Sequence, residues 1–187
     1  MGALIYPTNV SVDGYIEDAS GAFDWMPVHD DVFATHTELM RSAGTLLYGR
    51  RLYEAMSVWE TDPALAEHSP EFAGFAAAWR APAKVVYSRT LTGAPTADTR
   101  IERDFDPAQV RELKAATDRD LIIGGADLAA QALAAGLVDE VQLYVHPVSV
   151  GGGKPGLPTG ARIDLELIDE CRIGSSGVVL LRYRPRA

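Results

Sequence analysis

Two adjacent glycines between a buried strand and a helix form the sharpest chemical pattern in this sequence. Gly124 and Gly125 follow the apolar run Leu121-Ile122-Ile123 and precede a helix that begins at Ala126. Because glycine has no Cβ, a pyrophosphate can approach the backbone, and the free amides and positive end of the helix attract its charge. The same dipeptide also serves as a tight turn, and it lacks the G-x-G-x-x-G spacing of a Rossmann site. The pattern predicts an anion cradle and leaves the tight turn open.

Three arginines follow two other strand candidates. Gly49-Arg50-Arg51 comes after the apolar run Thr45 to Tyr48, and Ser88-Arg89 comes after Lys84 to Tyr87. The planar guanidinium group suits phosphate oxygens. Cations at a helix start oppose the helix dipole, so the arginine pair favours a ligand over a solvated surface pair. Ser88 and Arg89 follow the end of a strand, which is where open α/β sheets bind ligands.

The histidines and the cysteine indicate no metal site. His29, His36, His68 and His146 have no metal-ligand spacing, and the chain has no H-E-x-x-H or Cys-His cluster. A lone strand histidine such as His146 is more often a structural hydrogen-bonding residue. The single cysteine, Cys171, is more often a small buried hydrophobe than a nucleophile. We therefore predict no metal cofactor.

These chemical groups need a sheet and helices to position them. The pattern predicts strands at Ala3 to Ile16 (running into an Asp13-Gly14 turn), Thr45 to Tyr48, Lys84 to Tyr87, Arg100 to Phe105, Leu121 to Ile123, Val138 to Val150, Ile163 to Ile173 and Gly177 to Tyr183. It predicts helices at Asp30 to Ser42, after Gly49, at Ser69 to Trp79, from Asp106-Pro107 to about Ala116, and at Ala126 to Ala135 with Gly136 as its cap. Alternating elements followed by a β-rich end predict a mostly parallel mixed sheet flanked by helices, with a C-terminal antiparallel hairpin.

Length and charge narrow the functional classes. A chain of 187 residues with 47% hydrophobic content fits one domain, covering residues 1 to 187. A net charge of -9 argues against nucleic acid or an anionic membrane surface as a partner. No apolar run approaches the roughly 20 residues that span a bilayer, and the N-terminus lacks a signal-peptide pattern. With one cysteine, the chain is expected to be a soluble cytoplasmic protein.

The order of the motifs resembles the dihydrofolate reductase superfamily, and more closely the RibD C-terminal-domain family, the reductase module of bacterial riboflavin biosynthesis. The similar segments cover nearly the whole chain: Ser11 to Ile16 with Phe23-Asp24-Trp25, Gly49 to Glu54, Lys84 to Leu91, Gly124-Gly125, Gly136 to Val141, Pro147-Val148 and Gly151 to Pro155. The resemblance implies a dihydrofolate-reductase-like three-layer α/β fold. It also implies a reductase that transfers hydride from NADPH to a small heterocyclic or ribosylamino substrate, such as 5-amino-6-(5-phosphoribosylamino)uracil.

The resemblance also assigns site residues. Gly49, Arg50 and Arg51, with Ser88 and Arg89, would hold the adenosine-side phosphates of NADPH, and Gly124-Gly125-Ala126 would hold its pyrophosphate. Asp13 lies in a segment similar to the family's active-site loop, and Asp31 lies near the register of the substrate carboxylate of dihydrofolate reductases; both are candidate catalytic residues. Trp25 and Asp13 are candidate substrate-binding residues, Trp25 because an indole presents an aromatic face to a heterocycle. A turn at Asp13 and a helix cap at Asp31 explain these aspartates equally well.

Two departures from the family pattern leave alternatives open. Leu52 stands where relatives usually have threonine, so a hydroxyl group that could bind a phosphate is missing. Relatives often continue with Leu-Phe after Lys-Pro, whereas here Gly156 follows Lys154-Pro155. A non-catalytic NADP-binding module and a folate-specific dihydrofolate reductase are the alternative functions. The β-rich end and the resemblance predict a homodimer, the commonest symmetric assembly; the alternative is a hairpin edge protected by arginines.

Overall fold

The computed structural model of the protein describes residues 1–27 and 29–186. Within them lie ten strands: β1 Leu4–Ser11, β2 Tyr15–Glu17, β3 Ala43–Gly49, β4 Ala83–Tyr87, β5 Thr99–Glu102, β6 Asp120–Gly124, β7 Glu140–His146, β8 Lys154–Pro155, β9 Leu165–Arg172 and β10 Val179–Pro185. The same residues form seven helices: α1 Asp30–Ser42, α2 Arg50–Met56, α3 Val58–Thr61, α4 Pro63–Glu67, α5 Pro70–Arg80, α6 Pro107–Ala115 and α7 Ala126–Ala134.

Eight of the strands form one mixed sheet in the order β5-β4-β3-β6-β1-β7-β10-β9. All neighbouring strands from β5 to β7 in that order run parallel. Strand β10 runs antiparallel to both β7 and β9. The prediction of a mostly parallel sheet with a C-terminal antiparallel hairpin is confirmed.

Helices cover both faces of this sheet, which gives the three layers. On one face, α6 and α7 contribute Val110, Leu128 and Ala132 to a core that includes Tyr6 and Ile123. On the other face, α1 and α5 pack Met40, Phe75 and Trp79 against residues such as Leu46 and Ile122. Strands that are buried on both faces carry continuous apolar runs, as Leu121-Ile122-Ile123 does.

The predicted helix ends are set by local chemistry. The hydroxyl of Ser69 accepts a hydrogen bond from the Phe72 amide and Pro70 occupies the first turn, so α5 begins as predicted. Asp106 caps α6 in the same way through the Ala108 amide. At the end of α7, Gly136 has a φ of 63°, a conformation in which glycine carries no Cβ penalty.

Several boundaries differ from the sequence prediction, most clearly in three segments. The opening strand ends at Ser11, and the turn at Asp13-Gly14 separates it from β2, which pairs with β8 in a second sheet. Strand β7 ends at His146 because Pro147 has no amide to donate to a neighbouring strand. The segment after Gly49 forms three short helices, α2, α3 and α4, and Asp62 caps the start of α4.

This topology brings the chemical groups to one edge of the sheet. In parallel strands the carboxyl ends share an edge, so Ser11, Gly49, Tyr87, Gly124 and His146 end their strands side by side. We call this edge the carboxyl edge. None of the described helices is long and apolar enough to cross a membrane.

Candidate functional site

The ends of β3, β4 and β6 form a shallow cradle at the carboxyl edge. Tyr48 is in register with Gly124, and Gly49 is in register with Tyr87. Gly125 has a φ of 95° and begins α7 without a side-chain cap. The first amides of the helix that find backbone acceptors are those of Leu128 and Ala129, which donate to the Gly125 carbonyl. As at any helix start, the amides before them point outward and can bind an anion.

The two glycines of the cradle serve different purposes. A Cβ at Gly124 would collide with the side chain of Leu52 and lie 3.0 Å from the ring of Tyr48, so this glycine is required by packing. A Cβ at Gly125 would lie 3.8 Å from the Gly49 amide nitrogen, in open space at the mouth of the cradle. Only Gly125 therefore leaves room for a ligand, and Leu52 fills the space behind it.

The predicted arginines follow the strand ends that form this cradle, and two of them, Arg50 and Arg89, are engaged in surface ion pairs. Arg50 lies 3.2 Å from Glu54 one turn along α2. The Nε of Arg89 lies 2.9 Å from Asp104. Arg51 is exposed at the start of α2. Exposed ion pairs are weak, so an incoming phosphate can replace the carboxylate partners of Arg50 and Arg89.

The side chain of Ser88 stabilises the turn after β4. It is buried, and its hydroxyl accepts hydrogen bonds from the amides of Thr90 (3.2 Å) and Leu91 (2.9 Å). The guanidinium of Arg103 donates to the carbonyls of Ser88, Arg89 and Leu91 and so holds the same turn from outside. The turn that carries Arg89 is thus fixed by two sets of contacts.

An ion pair between Lys154 and Asp127 crosses the start of α7. The Nζ of Lys154 lies 2.7 Å from Oδ2 of Asp127, and the Asp127 side chain is 85% exposed. A carboxylate in the first turn is favoured by the helix dipole, and it occupies the electrostatic position that an anionic ligand would take. Lys154, the first residue of β8, brings a cation to the same place.

Asp13 joins the loops that follow β1 and β7. Its carboxylate accepts hydrogen bonds from the Ser149 hydroxyl (2.9 Å) and from the amides of Val150 (3.2 Å) and Gly151 (2.8 Å). A hydrogen bond from the Ser11 hydroxyl, with those from the loop, holds the pKa of Asp13 well below its usual range. The side chain is exposed and ionised, and it lies at the carboxyl edge as the sequence analysis expected.

Asp31 lies at the rim of this edge, on the side of the C-terminal hairpin. Its Oδ2 accepts a hydrogen bond of 3.0 Å from the Ser175 amide, and Oδ1 accepts one from its own neighbour Val32. The turn packs so closely that a Cβ at Gly174 would collide with the Asp31 carboxylate. Asp31 therefore attaches the start of α1 to the turn between β9 and β10.

A buried polar cluster at the ends of β1 and β7 was largely missed by sequence reasoning. It consists of Asn9, Trp25, His36 and His146. The Nε2 atoms of His36 and His146 lie 3.2 Å and 3.1 Å from Oδ1 of Asn9, and Trp25 packs edge-to-face on His146 with ring centroids 5.9 Å apart. The available signal was Asn9 itself, because asparagine is uncommon in the middle of a parallel strand.

The histidines of this cluster are held in the neutral form. Burial and the neighbouring His146 lower the pKa of His36 to about 4. Burial, with a smaller effect of His29, also lowers the pKa of His146. A further ring, that of Tyr144, stacks on His36 with centroids 4.1 Å apart.

An open groove of the described surface lies away from this cluster. This groove, of about 440 Å³, is lined by Arg100, Gln109, Glu112, Leu113 and Ala116, at the amino ends of the strands. It has neither glycine turns nor unpaired buried groups, and Arg100 is engaged by Glu102. Over residues 1–27 and 29–186, no group of three or more His, Cys, Asp or Glu side chains is placed to hold a metal ion.

Comparison with known proteins gives one family and several relatives. Residues 3–179 match the family model described as the RibD C-terminal domain. Over 185 residues the chain is 30% identical to the uncharacterized protein YyaP of Bacillus subtilis (strain 168), covering 96% of this chain and 93% of the relative.

Solved structures of other proteins share the fold. A protein from Shewanella sp. PV-4 assigned to riboflavin biosynthesis superposes with a TM-score of 0.76 at 21% identity, over 99% of both chains. A diaminohydroxyphosphoribosylaminopyrimidine deaminase/5-amino-6-(5-phosphoribosylamino)uracil reductase from Thermotoga maritima superposes with a TM-score of 0.64 at 17% identity, over 99% of this chain and 57% of the larger one. At these identities the likeness concerns the fold.

Proposed function

This chain belongs to the RibD C-terminal domain family, and on that premise we propose that it is a cytoplasmic NADPH-dependent reductase. The substrate is a small heterocyclic or ribosylamino compound of the 5-amino-6-(5-phosphoribosylamino)uracil type. The family includes reductases related to riboflavin biosynthesis. The Thermotoga maritima relative is named as a reductase of 5-amino-6-(5-phosphoribosylamino)uracil. The NADPH requirement and the substrate class are the parts that we propose for this chain.

The open cradle at Gly125 is the observation that carries the proposal. The residue has a positive φ, its Cβ position is free of protein atoms closer than 3.8 Å, and it stands before a helix whose first amides point outward. A dinucleotide pyrophosphate is an anion of suitable chemistry for such a helix start. The residues around the cradle therefore fit a nicotinamide dinucleotide.

Each element of the carboxyl edge has a proposed part in holding the dinucleotide. The Gly125 and Ala126 amides would bind the pyrophosphate, and Gly124 would keep Leu52 packed behind them. Arg50, Arg51 and Arg89 would bind the adenosine-side phosphates, including the 2′-phosphate that distinguishes NADPH from NADH. When bound, the cofactor supplies the hydride; the protein supplies orientation and a pocket that excludes water.

The substrate would lie at the ends of β1 and β7, beside the nicotinamide. Trp25 offers an aromatic face there, and Asp13 fixes the loops around it. Because the Asp13 carboxylate accepts hydrogen bonds from the loop after β7 and stays ionised, we assign it a positioning role and no proton donation. Asp31 is engaged by the hairpin turn, which disfavours the folate-specific alternative, since that activity needs a carboxylate free to bind a pterin.

The decisive experiment compares NADPH and NADH binding in matched variants. We expect NADPH to bind more tightly than NADH, and Arg51→Gln to weaken NADPH binding by about tenfold while leaving NADH binding nearly unchanged. Arg111→Gln, at an exposed arginine on α6, is the control and should change neither. Equal affinities for the two cofactors would contradict the proposed 2′-phosphate site.

Turnover separates the reductase from the non-catalytic alternative. NADPH oxidation is followed with ribosylaminouracils and pterins as substrates. A reductase oxidises NADPH with at least one compound of the uracil class. A protein whose melting temperature rises with NADPH, but which oxidises none with any compound, is a binding module and contradicts the proposed reaction.

A further inference from the structure

The buried polar cluster contains two polar atoms with no partner. Nδ1 of His146 and Nε1 of Trp25 are buried, and neither atom has a hydrogen-bond partner among the described residues. His146 is only 3% exposed. Buried polar groups in native proteins are nearly always paired. Two unpaired polar atoms on two rings that touch each other therefore indicate a ligand that bonds to both.

The tautomer of His146 follows from Asn9. The amide oxygen of Asn9 faces Nε2 of both histidines, and an oxygen of this kind only accepts. Both imidazoles are neutral, so each carries its single proton on Nε2 and donates it to Asn9. Nδ1 of His146 is therefore a free lone pair, an acceptor.

The second orphan has the opposite character. The indole N–H of Trp25 is a donor and cannot accept. Trp25 meets His146 edge-to-face at the ends of β1 and β7, so an unpaired acceptor and an unpaired donor lie on two side chains in contact. The carboxylates of Asp13 and Asp31 accept hydrogen bonds elsewhere at the carboxyl edge, from the loop after β7 and from the hairpin turn.

We infer that His146 and Trp25 recognise the cyclic amide edge of the substrate ring, where an N–H group stands next to a carbonyl. The ring N–H donates to Nδ1 of His146, and the ring carbonyl accepts from Nε1 of Trp25. This inference rests on the proposed function, which places the reacting ring at the carboxyl edge. It adds the two specificity residues and the chemical edge that they read.

A bound ring would lie between the imidazole of His146 and the indole of Trp25, which would shift outward to admit it. Both orphan atoms are inaccessible to water, so Trp25 covers His146 in this structure. Trp25 lies in the loop between β2 and α1, whose first turn is held by Asp18 through the Ser20 and Ala22 amides.

The test uses two ring probes and one matched pair of variants. The probes are 5,6-diaminouracil and its 1,3-dimethyl derivative, which keeps the carbonyls and loses both ring N–H groups. Their affinities for the wild-type protein and for Trp25→Phe are measured by isothermal titration calorimetry, which does not depend on a tryptophan signal. Trp59→Phe is the control, because Trp59 packs against Phe72 and Phe75 in a separate aromatic group.

We expect the wild-type protein to bind diaminouracil at least about tenfold more tightly than the dimethyl derivative. Trp25→Phe should weaken diaminouracil binding by about fivefold to tenfold, and Trp59→Phe should leave it unchanged. Equal binding of the two probes, or equal effects of the two tryptophan variants, would overturn the inference. The probe comparison needs no variant, so a folding defect cannot obscure it.

A separate titration keeps this inference distinct from the proposed function. The ligand 2′,5′-ADP carries the adenosine half of NADPH without the nicotinamide. If 2′,5′-ADP binds and the ring probes are not distinguished, the assignment of His146 and Trp25 is wrong while the cofactor site stands. If the probes are distinguished but 2′,5′-ADP fails to bind, the ring site stands and the NADPH proposal is contradicted.

Discussion

Oδ2 of Asp13 accepts a hydrogen bond of 2.8 Å from the backbone amide of Gly151, which joins the loop after β1 to the loop after β7. Gly151 itself has a φ of 79°, so the amide is presented by a left-handed turn. The two loops border the buried polar cluster. Asp13 therefore controls the shape of the substrate end of the carboxyl edge without being buried.

Substitution of Asp13 distinguishes a positioning role from proton donation. In Asp13→Asn the amide oxygen can still accept a hydrogen bond from the Gly151 amide, whereas Asp13→Ala loses all of these contacts. We expect the KM of the substrate to rise by about tenfold in Asp13→Ala and clearly less in Asp13→Asn, with smaller changes in kcat. Steady-state kinetics of both variants are the measurement. A proton donor would instead lose kcat equally in both.

Gly125 and Gly136 provide a matched pair of substitutions at the two ends of α7. Both have positive φ and both Cβ positions are free of close protein contacts. Alanine at either position should lower the free energy of unfolding by a similar amount, on the order of 1 kcal/mol. Only Gly125→Ala should also weaken NADPH binding, because its Cβ enters the cradle. Thermal unfolding and NADPH titration check both; unchanged binding in Gly125→Ala would assign this glycine to the turn alone.

The pair of Asp127 and Lys154 predicts two opposite effects on cofactor affinity. The Asp127 carboxylate repels a pyrophosphate and competes for Lys154, so Asp127→Asn should tighten NADP⁺ binding by about twofold to fivefold. Lys154→Met removes the cation and should weaken binding by a similar factor. Calorimetric titrations at two salt concentrations provide the check, and the differences should shrink at the higher salt. If both variants moved affinity in the same direction, loop distortion would explain the effect instead.

Local patterns were sufficient for the fold and for the cradle. The caps at Ser69 and Asp106 and the glycine at position 136 act within a few residues, so the sequence displays both partners. Likewise, Gly125 stands between a strand and a helix that are visible as an apolar run and a helical stripe. The strand, the glycine turn and the helix start could therefore be predicted from a short window, whereas anion binding there stays a prediction.

Long-range contacts were the part that a single sequence does not display. Asp13 meets Gly151 from 138 positions away, and Asp31 meets Ser175 from 144 positions away. Each aspartate is compatible with a turn or a cap when only its neighbours are considered. The requirement for glycine at position 124 arises in the same way, because it depends on Leu52, which packs there only after β3 and β6 are paired.

The neutral histidines predict a dependence of stability on pH. The pKa of His36 is about 4 in the folded protein and about 6.5 in the unfolded chain, so the unfolded chain binds more protons between these values. The contribution of neutral His36 is complete above about pH 6.5 and is lost as the pH falls towards 4; we expect it to be on the order of 2 kcal/mol. His146 should act in the same direction.

Chemical denaturation at several pH values measures this effect. His36→Gln keeps a donor for Asn9 but does not titrate, so the difference in unfolding free energy between it and the wild type should change between pH 7 and pH 4.5. His68→Gln, at an exposed position, is the control. A constant difference for His36→Gln would show that His36 titrates alike in both states.

The final prediction is a homodimer formed through the edge of the sheet. Strand β9 is the last strand of the main sheet, and its Leu167 and Ile168 side chains are 48% and 38% exposed. Strand β10 uses Arg182 to bind Glu140 and Asp169, so this arginine is committed within the chain and does not protect the edge. Two copies related by a two-fold axis can pair their β9 strands and cover these apolar side chains.

We expect light scattering after size exclusion to give twice the mass of one chain at micromolar concentration. Ile168→Lys should give a monomer, whereas Val58→Lys, at a comparably exposed apolar residue of α3, should remain a dimer. A monomeric wild-type protein at every concentration would mean that the charged side chains of β9 suffice to keep this edge in water.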